Sequence, residues 1–227
     1  EIATKHKRYV VEDACPAVGA LYQGRRPGSF GDFGAFSFQG AKIMVTGYGG
    51  MLVTNSKKHY EKVLWLNTHG EDPNRKFWQT RVGYSFEMSN VQAALGLAQL
   101  ERIEEFVKKK RRIFDWYYQR LHDVDGISLN FERPKTKSNR WMSSIVLNKG
   151  SKKTRDQVRE ELKNQKIDTR AFFYPISMFP IYKSMKKQNP VAYHIAMNGI
   201  NLPSGLALTE KEVDYVARMV KEVLKGA

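Results

Sequence analysis

A periodic apolar pattern that follows Ser89 sets the strongest limit on the fold. Apolar residues recur at steps of three and four, the spacing of one face of an amphipathic helix. Ser89 is a residue type that caps helix N-termini well. The pattern predicts one long helix that connects two domains, residues 1–112 and 113–227, with a kink or break near Lys108–Arg112. Its apolar positions are Val91, Ala94, Leu95, Ala98, Ile103, Phe106, Val107, Ile113, Trp116, Tyr117 and Leu121.

Short apolar runs before this helix are typical of buried strands. Residues 9–14 form such a run and end in acids, with Asp13 at the predicted C-terminal end of the strand. Residues 35–38 and 50–55 read as two further strands, and residues 58–69 as a helix. This order predicts an α/β fold, a mostly parallel sheet flanked by helices.

After Gly126 the chain shows a different pattern of strands and helices, which predicts a smaller α+β domain. Its strands are expected at 127–131, 141–147 and 200–203. Helices are expected at about 154–165, 191–197 and 209–224. Thr209 and Glu212 have the spacing of a capping box at the start of the last helix.

Composition narrows the class of protein. The chain of 227 residues is 41% apolar and 27% charged, as is normal for a soluble globular protein. No apolar run is long enough for a transmembrane helix, and the N-terminus lacks the features of a signal peptide. Cys15 is the single cysteine, which favours a reducing, cytoplasmic location. The five histidines lack the spacing of metal ligands, so no metal site is expected.

The net charge of +15 invites a polyanion as partner. The basic residues are spread out, and the densest runs, Lys108–Arg112 and Lys152–Arg155, are predicted to be solvated helix faces or termini. No named nucleic-acid motif is present, so nucleic-acid binding is the weakest hypothesis and rests on charge alone.

Three residues match what an amine-transfer cofactor requires. Pyridoxal phosphate (PLP) needs a lysine, an acid beside its ring nitrogen and hydrogen-bond donors for its phosphate. Lys42, Asp13 and Ser37 are candidates for these roles, and ligands of parallel sheets collect at strand ends such as that of Asp13. Each also has an ordinary reading, as a surface amine, a helix cap and a strand residue.

The segment from Val10 to Asn55 resembles the core of the DegT/DnrJ/EryC1/StrS aminotransferases, which are fold-type I PLP enzymes that aminate keto groups of nucleotide-linked sugars. The matching motifs are an EDA-type aspartate, GSFGD followed by FSF, a lysine four residues after that phenylalanine, and TGYGG. The resemblance continues in three later blocks, VGYSFEMSNVQAALGLAQLERI, RAFFYP and NLPSGLALTEKEVDYV. It implies a PLP-transferase large domain followed by the smaller C-terminal domain.

The resemblance also implies roles for individual residues. Lys42 would be the Schiff-base lysine and the acid/base of the proton shift, Asp13 would pair with the pyridine nitrogen, and Ser37 and Ser85 would contact phosphate. Arg170 and Tyr174 would line the sugar-nucleotide pocket or serve domain packing. His69 would belong to the site or only to a turn. The partners implied are a nucleotide-diphosphate sugar, glutamate as amino donor, and a second copy in a homodimer with the active site at the interface.

Several positions depart from the family pattern. Tyr48 replaces a common glutamate, and Pro16 stands where a glutamine or histidine is usual. Ser85 takes the place of an asparagine that reaches the partner's phosphate, and Glu87 that of a basic residue. Relatives carry an N-terminal portion with further strands and phosphate-binding groups. The chain is therefore expected to be N-terminally truncated and to bind PLP weakly unless it is complemented.

Two functional classes stay open at this point. The first is a PLP-dependent sugar aminotransferase, or part of one, whose product would supply cell-surface polysaccharide or antibiotic sugars. Its acceptor is open, because the sequence SFQ before the lysine also occurs in relatives that act on cyclitol ketones. The second is a non-catalytic remnant or interaction module that retains the fold without turnover.

Overall fold

The structure is a computed structural model that describes residues 2–182 and 189–226. The chain divides into two compact units. The first contains Glu1–Val107 and Arg133–Asn139, and the second contains Lys108–Glu132 and Arg140–Ala227.

A three-stranded sheet forms the centre of the first unit. Its strands lie in the order β1 (Val11–Asp13), β3 (Phe33–Ser37) and β4 (Gly50–Val53). Strands β1 and β3 are parallel, and Asp13 pairs with Ala35. Strand β4 is antiparallel to β3, with Ser37 opposite Gly50. The three strands predicted before the long helix are thus confirmed within a few residues. The unit's early elements are α1 (Ile2–Lys5), β1 (Val11–Asp13), β2 (Leu21–Tyr22), β3 (Phe33–Ser37), β4 (Gly50–Val53) and α2 (Lys57–Asn67).

Two short strand pairs in the first unit were not predicted. Strands β5 (Glu71–Asp72) and β6 (Arg75–Gln79) form a hairpin, and the Asp72 carboxylate accepts the backbone N–H of Asn74 at 2.8 Å in its turn. Strand β2 pairs with β8 (Thr136–Lys137), far along the chain. Strands β2, β5 and β8 have two residues each, too few for an alternating pattern to be visible in the sequence. Strand β6 has five residues, but all of them are exposed, so it has no buried face to produce such a pattern.

The predicted long helix is two helices. Helix α3 (Asn90–Leu100) begins at Ser89, which forms a capping box with Gln92, and α4 (Ile103–Leu121) follows after a turn at Glu101 and Arg102. The predicted break near Lys108–Arg112 is wrong. The chain turns where the N–H of Glu101 is shared by the carbonyls of Gln99 and Leu97, which ends the regular helical ladder.

The two basic runs are also less solvated than predicted. Lys108 and Arg112 are exposed, but Lys110 is 7% exposed and donates to the carbonyls of Trp141 and Ser204. Arg155 is 3% exposed. Its guanidinium is paired with Asp156 and donates to the carbonyl of Ala196, so burial does not leave its charge unpartnered.

The second unit has a four-stranded antiparallel sheet. Its strands lie in the order β10 (Arg170–Ala171), β11 (Gly199–Leu202), β9 (Ser143–Leu147) and β7 (Ile127–Leu129). Capping boxes at Thr154 and at Thr209 begin α5 and α7, and the second was predicted from the sequence. Apolar residues of α4, α5, α7 and the sheet form one buried core. The elements of this unit after α4 are β7 (Ile127–Leu129), β9 (Ser143–Leu147), α5 (Arg155–Asn164), β10 (Arg170–Ala171), α6 (Pro190–Asn198), β11 (Gly199–Leu202) and α7 (Glu210–Lys225).

The first unit exposes much of its apolar surface. Among the described residues, α2 buries no side chain and α3 buries only Gly96, although α3 is apolar on several sides. A helix of that kind is normally covered by other protein. None of the helices in the described ranges is long and apolar enough to cross a membrane.

Candidate active site

The ends of two parallel strands bring Asp13 and Ser37 to the same edge of the sheet. Asp13 is the last residue of β1 and pairs with Ala35 of β3. Ser37 is the last residue of β3, two positions beyond Ala35, and its side chain therefore points to the same face of the sheet as that of Ala35. The carboxyl end of a parallel strand pair is where ligands usually bind in open α/β sheets.

Lys42 lies in the loop that leaves this edge, residues 38–49, which we call the lysine loop. Its base is closed by two backbone hydrogen bonds of 2.9 Å, from Phe38 N to Gly49 O and from Thr46 N to Phe38 O. Within it, the N–H of Lys42 donates to Gln39 O at 2.9 Å. The residues after the lysine, Ile43 and Met44, are each 4% exposed and anchor the loop.

Asp13 is held as an anion by its neighbours. Hydrogen bonds from the thiol and then from the backbone N–H of Cys15 lower the pKa of Asp13, and the positive charge of Lys42 adds to the effect. The N–H of Cys15 lies 3.1 Å from Asp13 Oδ1. Lys42 is thus close enough to interact electrostatically with the acid at the strand end.

Ser37 has hydrogen-bonding capacity suited to an anion. Its Oγ accepts the backbone N–H of Gln39 at 3.4 Å, which leaves the hydroxyl hydrogen for another acceptor. The next turn is closed by the Gln39 side chain, whose Oε1 accepts the N–H of Ala41 at 2.9 Å. The Ser37 hydroxyl therefore lies directly before the lysine loop, whose first two turns are closed by these hydrogen bonds.

Glu12 organises the loop beside Asp13, and sequence reasoning missed it. Its carboxylate accepts three backbone N–H groups, those of Gly28 at 2.7 Å and of Phe30 and Gly31 at 2.6 Å each. Gly31 packs against Val10 so tightly that a Cβ there would lie 2.6 Å from the Val10 carbonyl oxygen. The signal in the sequence is the GSFGD motif, residues 28–32, which supplies the backbone N–H groups that a glutamate on the preceding strand can bind.

Ser85 and His69 lie together on the segment between α2 and α3. Ser85 is exposed and forms an isolated bridge with Thr68. His69 has a φ of 61° and donates its backbone N–H to Tyr84 O at 2.9 Å. The structure therefore shows the turn geometry that was one of the two alternatives for His69.

Arg170 and Tyr174 belong to the second unit. Arg170 begins β10, pairs with Asn201 and is exposed. Tyr174 is 46% exposed, and its hydroxyl accepts a hydrogen bond of 3.1 Å from Arg155. Because Arg155 is buried and fixed by Asp156, it holds one edge of the Tyr174 side chain in place.

Two departures from the family pattern act through the backbone. Tyr48 is 76% exposed, and its carbonyl accepts hydrogen bonds from Thr46 Oγ1 at 2.6 Å and Gln92 Nε2 at 3.1 Å. The carbonyl of Pro16 accepts from Asn139 Nδ2 at 2.7 Å. Both positions therefore contribute a backbone carbonyl as acceptor, which is present with any side chain.

Comparison with known proteins adds an independent line of support. The model of the DegT/DnrJ/EryC1/StrS aminotransferase family matches residues 1–221. GDP-perosamine synthase from Caulobacter vibrioides is 38% identical over 226 residues, which are 99% of this chain and 61% of that protein. GDP-perosamine synthase from Escherichia coli O157:H7 is 35% identical over 222 residues, 98% of this chain and 60% of that protein.

A solved structure shows the same fold. The aminotransferase TlmJ from Streptoalloteichus hindustanus superposes with a TM-score of 0.90 at 27% identity, over 99% of this chain and 61% of that one. The predicted fold class is thereby confirmed. The chain spans about three fifths of the length of the curated relatives it matches.

Proposed function

The chain belongs to the DegT/DnrJ/EryC1/StrS aminotransferase family, and we propose that it carries the amine and the acid of a PLP site that transfers an amino group from glutamate to a keto group of a nucleotide-linked sugar. The observation that supports this most is the placement of Asp13, Ser37 and Lys42 at one sheet edge, with the charge of Lys42 acting on Asp13. The nucleotide-sugar class follows the two relatives named for GDP-perosamine.

The residues present fit PLP in their chemistry. An aspartate whose pKa is lowered stays anionic at neutral pH, and an anion beside the pyridine nitrogen favours its protonated form. Ser37 supplies a hydroxyl donor for phosphate, and Lys42 supplies a primary amine on a loop with a closed base. When bound, PLP supplies an electron sink for the carbon that loses its proton.

The three residues then have separate tasks. Lys42 would hold the cofactor through its Nζ amine, and the same amine would accept and return a proton as general base and acid. Asp13 would stay charged and pair with the pyridine nitrogen. Ser37 would donate its hydroxyl hydrogen to the phosphate.

The remaining assignments belong to the same proposal. Arg170 and Tyr174 contact the nucleotide diphosphate, to which a guanidinium is suited. His69 contacts the substrate, and Ser85 contacts the cofactor phosphate. A homodimer completes the site at its interface. Exposed apolar residues of the first unit support an interface there, namely Phe77, Val82, Phe86 and Val91. The single cysteine supports a cytoplasmic location.

A non-catalytic remnant is the second candidate. It is favoured by Pro16 and Ser85, which lack the side chains usual in the family, and by the exposed apolar surface of α3. It predicts that the fold persists and that Lys42 takes no part in turnover.

The glutamate half-reaction separates the two candidates. The protein is saturated with PLP, glutamate is added without an acceptor, and 2-oxoglutarate is measured, with Lys42→Ala as the control. The proposal expects 2-oxoglutarate to form at saturating PLP and to be lost in the control; weak binding of PLP lowers the amount formed per chain but not its dependence on Lys42. PLP bound at Lys42 without formation of 2-oxoglutarate would favour the remnant. Absence of both PLP binding and 2-oxoglutarate would overturn the proposal.

A further inference from the structure

One face of α3 is fastened to the lysine loop at three consecutive points. Gln92 donates to the carbonyl of Tyr48 at 3.1 Å. Gly96 is buried, and a Cβ at this position would lie 3.1 Å from Thr46 Cγ2. Gln99 accepts the N–H of Val45 at 3.0 Å and donates to the carbonyl of the same residue. Positions i, i+4 and i+7 of the helix thus meet Tyr48, Thr46 and Val45 of the loop.

Gln99 makes the most specific of these contacts. Its Oε1 faces a backbone donor, and its Nε2 faces the carbonyls of Val45 and Leu95, the latter at 3.2 Å. A flipped amide would place like groups against each other, so the orientation is fixed by its partners. The pair of bonds holds both backbone groups of one loop residue, Val45, as a neighbouring strand would.

Val45 lies three residues after Lys42, inside the segment closed by the hydrogen bond from Thr46 N to Phe38 O. The buried side chains of Ile43 and Met44 connect the two positions. A shift of Val45 therefore moves the backbone from which the lysine side chain extends. In the described part of the chain, Gln99 is the side chain that hydrogen-bonds to the Val45 backbone.

We propose that Gln99 is a positioning residue for Lys42: by bonding both backbone groups of Val45 it fixes the lysine loop on α3 and sets where the amine can reach. This inference rests on the proposed function for the role of Lys42, whereas the fastening of the loop is independent of it. Gln92 secures the far end of the same loop and joins it to the helix cap at Ser89.

The test compares Gln99→Leu, Gln99→Glu and the control Gln119→Leu, which changes an exposed glutamine of α4. The first readout is hydrogen exchange of the Val45 amide. In Gln99→Leu its protection factor is expected to fall about tenfold or more, as for loss of one to two net hydrogen bonds. Gln99→Glu keeps an oxygen that can accept the Val45 N–H, but near neutral pH it sets a carboxylate oxygen against the carbonyls of Val45 and Leu95. Protection is expected to fall through this repulsion and to recover where the new carboxyl is neutral, at about pH 4, because a carboxylic acid can both donate and accept.

The second readout is the fraction of Lys42 that is trapped by PLP and borohydride, relative to the other lysines. It is expected to fall several-fold in Gln99→Leu and to stay unchanged in the control. Lost protection with unchanged trapping would overturn the proposal, because the contact would then be structural only. Unchanged protection would overturn it as well. If wild-type Lys42 is not trapped, the proposed function fails, while the exchange experiment still decides the fastening of the loop.

Discussion

The Oε1 atom of Glu12 lies 2.6 Å from the backbone nitrogen of Gly31, and the same carboxylate also binds the N–H groups of Gly28 and Phe30. Glu12 precedes Asp13 on β1, so one strand carries the candidate cofactor acid and the group that closes the neighbouring glycine loop. Asp32 also connects the end of this glycine loop to the residue before β1, because its carboxylate accepts the N–H of Val10 at 2.8 Å.

Glu12→Gln should destabilise the first unit. Glutamine offers one acceptor oxygen and turns an NH₂ group towards a backbone donor, so at least one N–H loses its partner. The expected cost is roughly 1–3 kcal/mol in the free energy of unfolding near neutral pH, measured by urea denaturation.

The same variant should alter the dependence of stability on pH. Burial of Glu12 acts to raise its pKa, but the three backbone hydrogen bonds and Arg25 together lower it below 4.5. A depressed carboxyl pKa stabilises the fold above the unfolded value, and that stabilisation is lost as pH falls through the folded value. The difference between wild type and Glu12→Gln should shrink below about pH 4.5; an equal difference at acidic and neutral pH would count against this account.

Lys110 should make the second unit more stable in alkaline solution. Burial lowers the pKa of Lys110 from 10.5 to about 8. Between these values the unfolded chain holds a proton that the folded chain has released, so the free energy of unfolding rises with pH, by at most about 1.4 kcal/mol per pH unit. Lys110→Met should remove this slope, whereas Lys108→Met, an exposed change in the same helix, should retain it. Equal slopes in all three proteins would refute the prediction.

Tyr48→Glu, which restores the residue usual in the family, should leave the lysine loop unchanged. The side chain is 76% exposed, and the hydrogen bonds from Thr46 and Gln92 are accepted by the carbonyl of this residue, which the substitution keeps. The free energy of unfolding is expected to stay within about 0.5 kcal/mol of wild type. Thr46→Val is the comparison: it removes the buried donor to Tyr48 O and should cost about 1 kcal/mol. A larger loss in Tyr48→Glu than in Thr46→Val would show that the side chain matters.

Gly96→Leu should loosen the contact between α3 and the lysine loop. A Cβ at Gly96 already meets Thr46 Cγ2 at 3.1 Å, and the further atoms of leucine must displace the loop. Overpacking of this kind costs about 1–3 kcal/mol, against a gain of up to about 1 kcal/mol in helix propensity. Ala94→Leu, at an exposed position of the same helix, is the control and should change stability little. Denaturation and exchange of the Thr46 amide would be measured together, and equal behaviour of the two variants would contradict the close approach.

Local signals in the sequence predicted most of the fold. Ser89, Thr154 and Thr209 begin helices where a capping residue precedes an apolar period. The break at Glu101 and Arg102 was not predicted because the apolar period continues across it. Lys110 was predicted to be exposed because it is charged, but it is buried. A long aliphatic side chain can be buried when carbonyls accept from its amine, and the sequence does not show where those carbonyls are.

The candidate site was predictable where it is local in sequence. Asp13 and Ser37 end strands that are visible as apolar runs, Lys42 lies in the loop after the second, and the sheet brings the strand ends together. The roles of Glu12 and Gln99 depend on hydrogen bonds across 19 and 54 positions of the chain, to backbone groups that the sequence alone does not place.

Mapping of the lysines that borohydride fixes to PLP tests the central claim most directly. Wild type and Asp13→Ala are incubated with PLP, reduced, digested and analysed by mass spectrometry. We predict that Lys42 carries a far larger fraction of adduct than any other lysine, and that Asp13→Ala lowers this fraction several-fold without changing the labelling of the others. Labelling of Lys42 at the level of the surface lysines, unaffected by Asp13→Ala, would contradict the assignment of this sheet edge as the cofactor site.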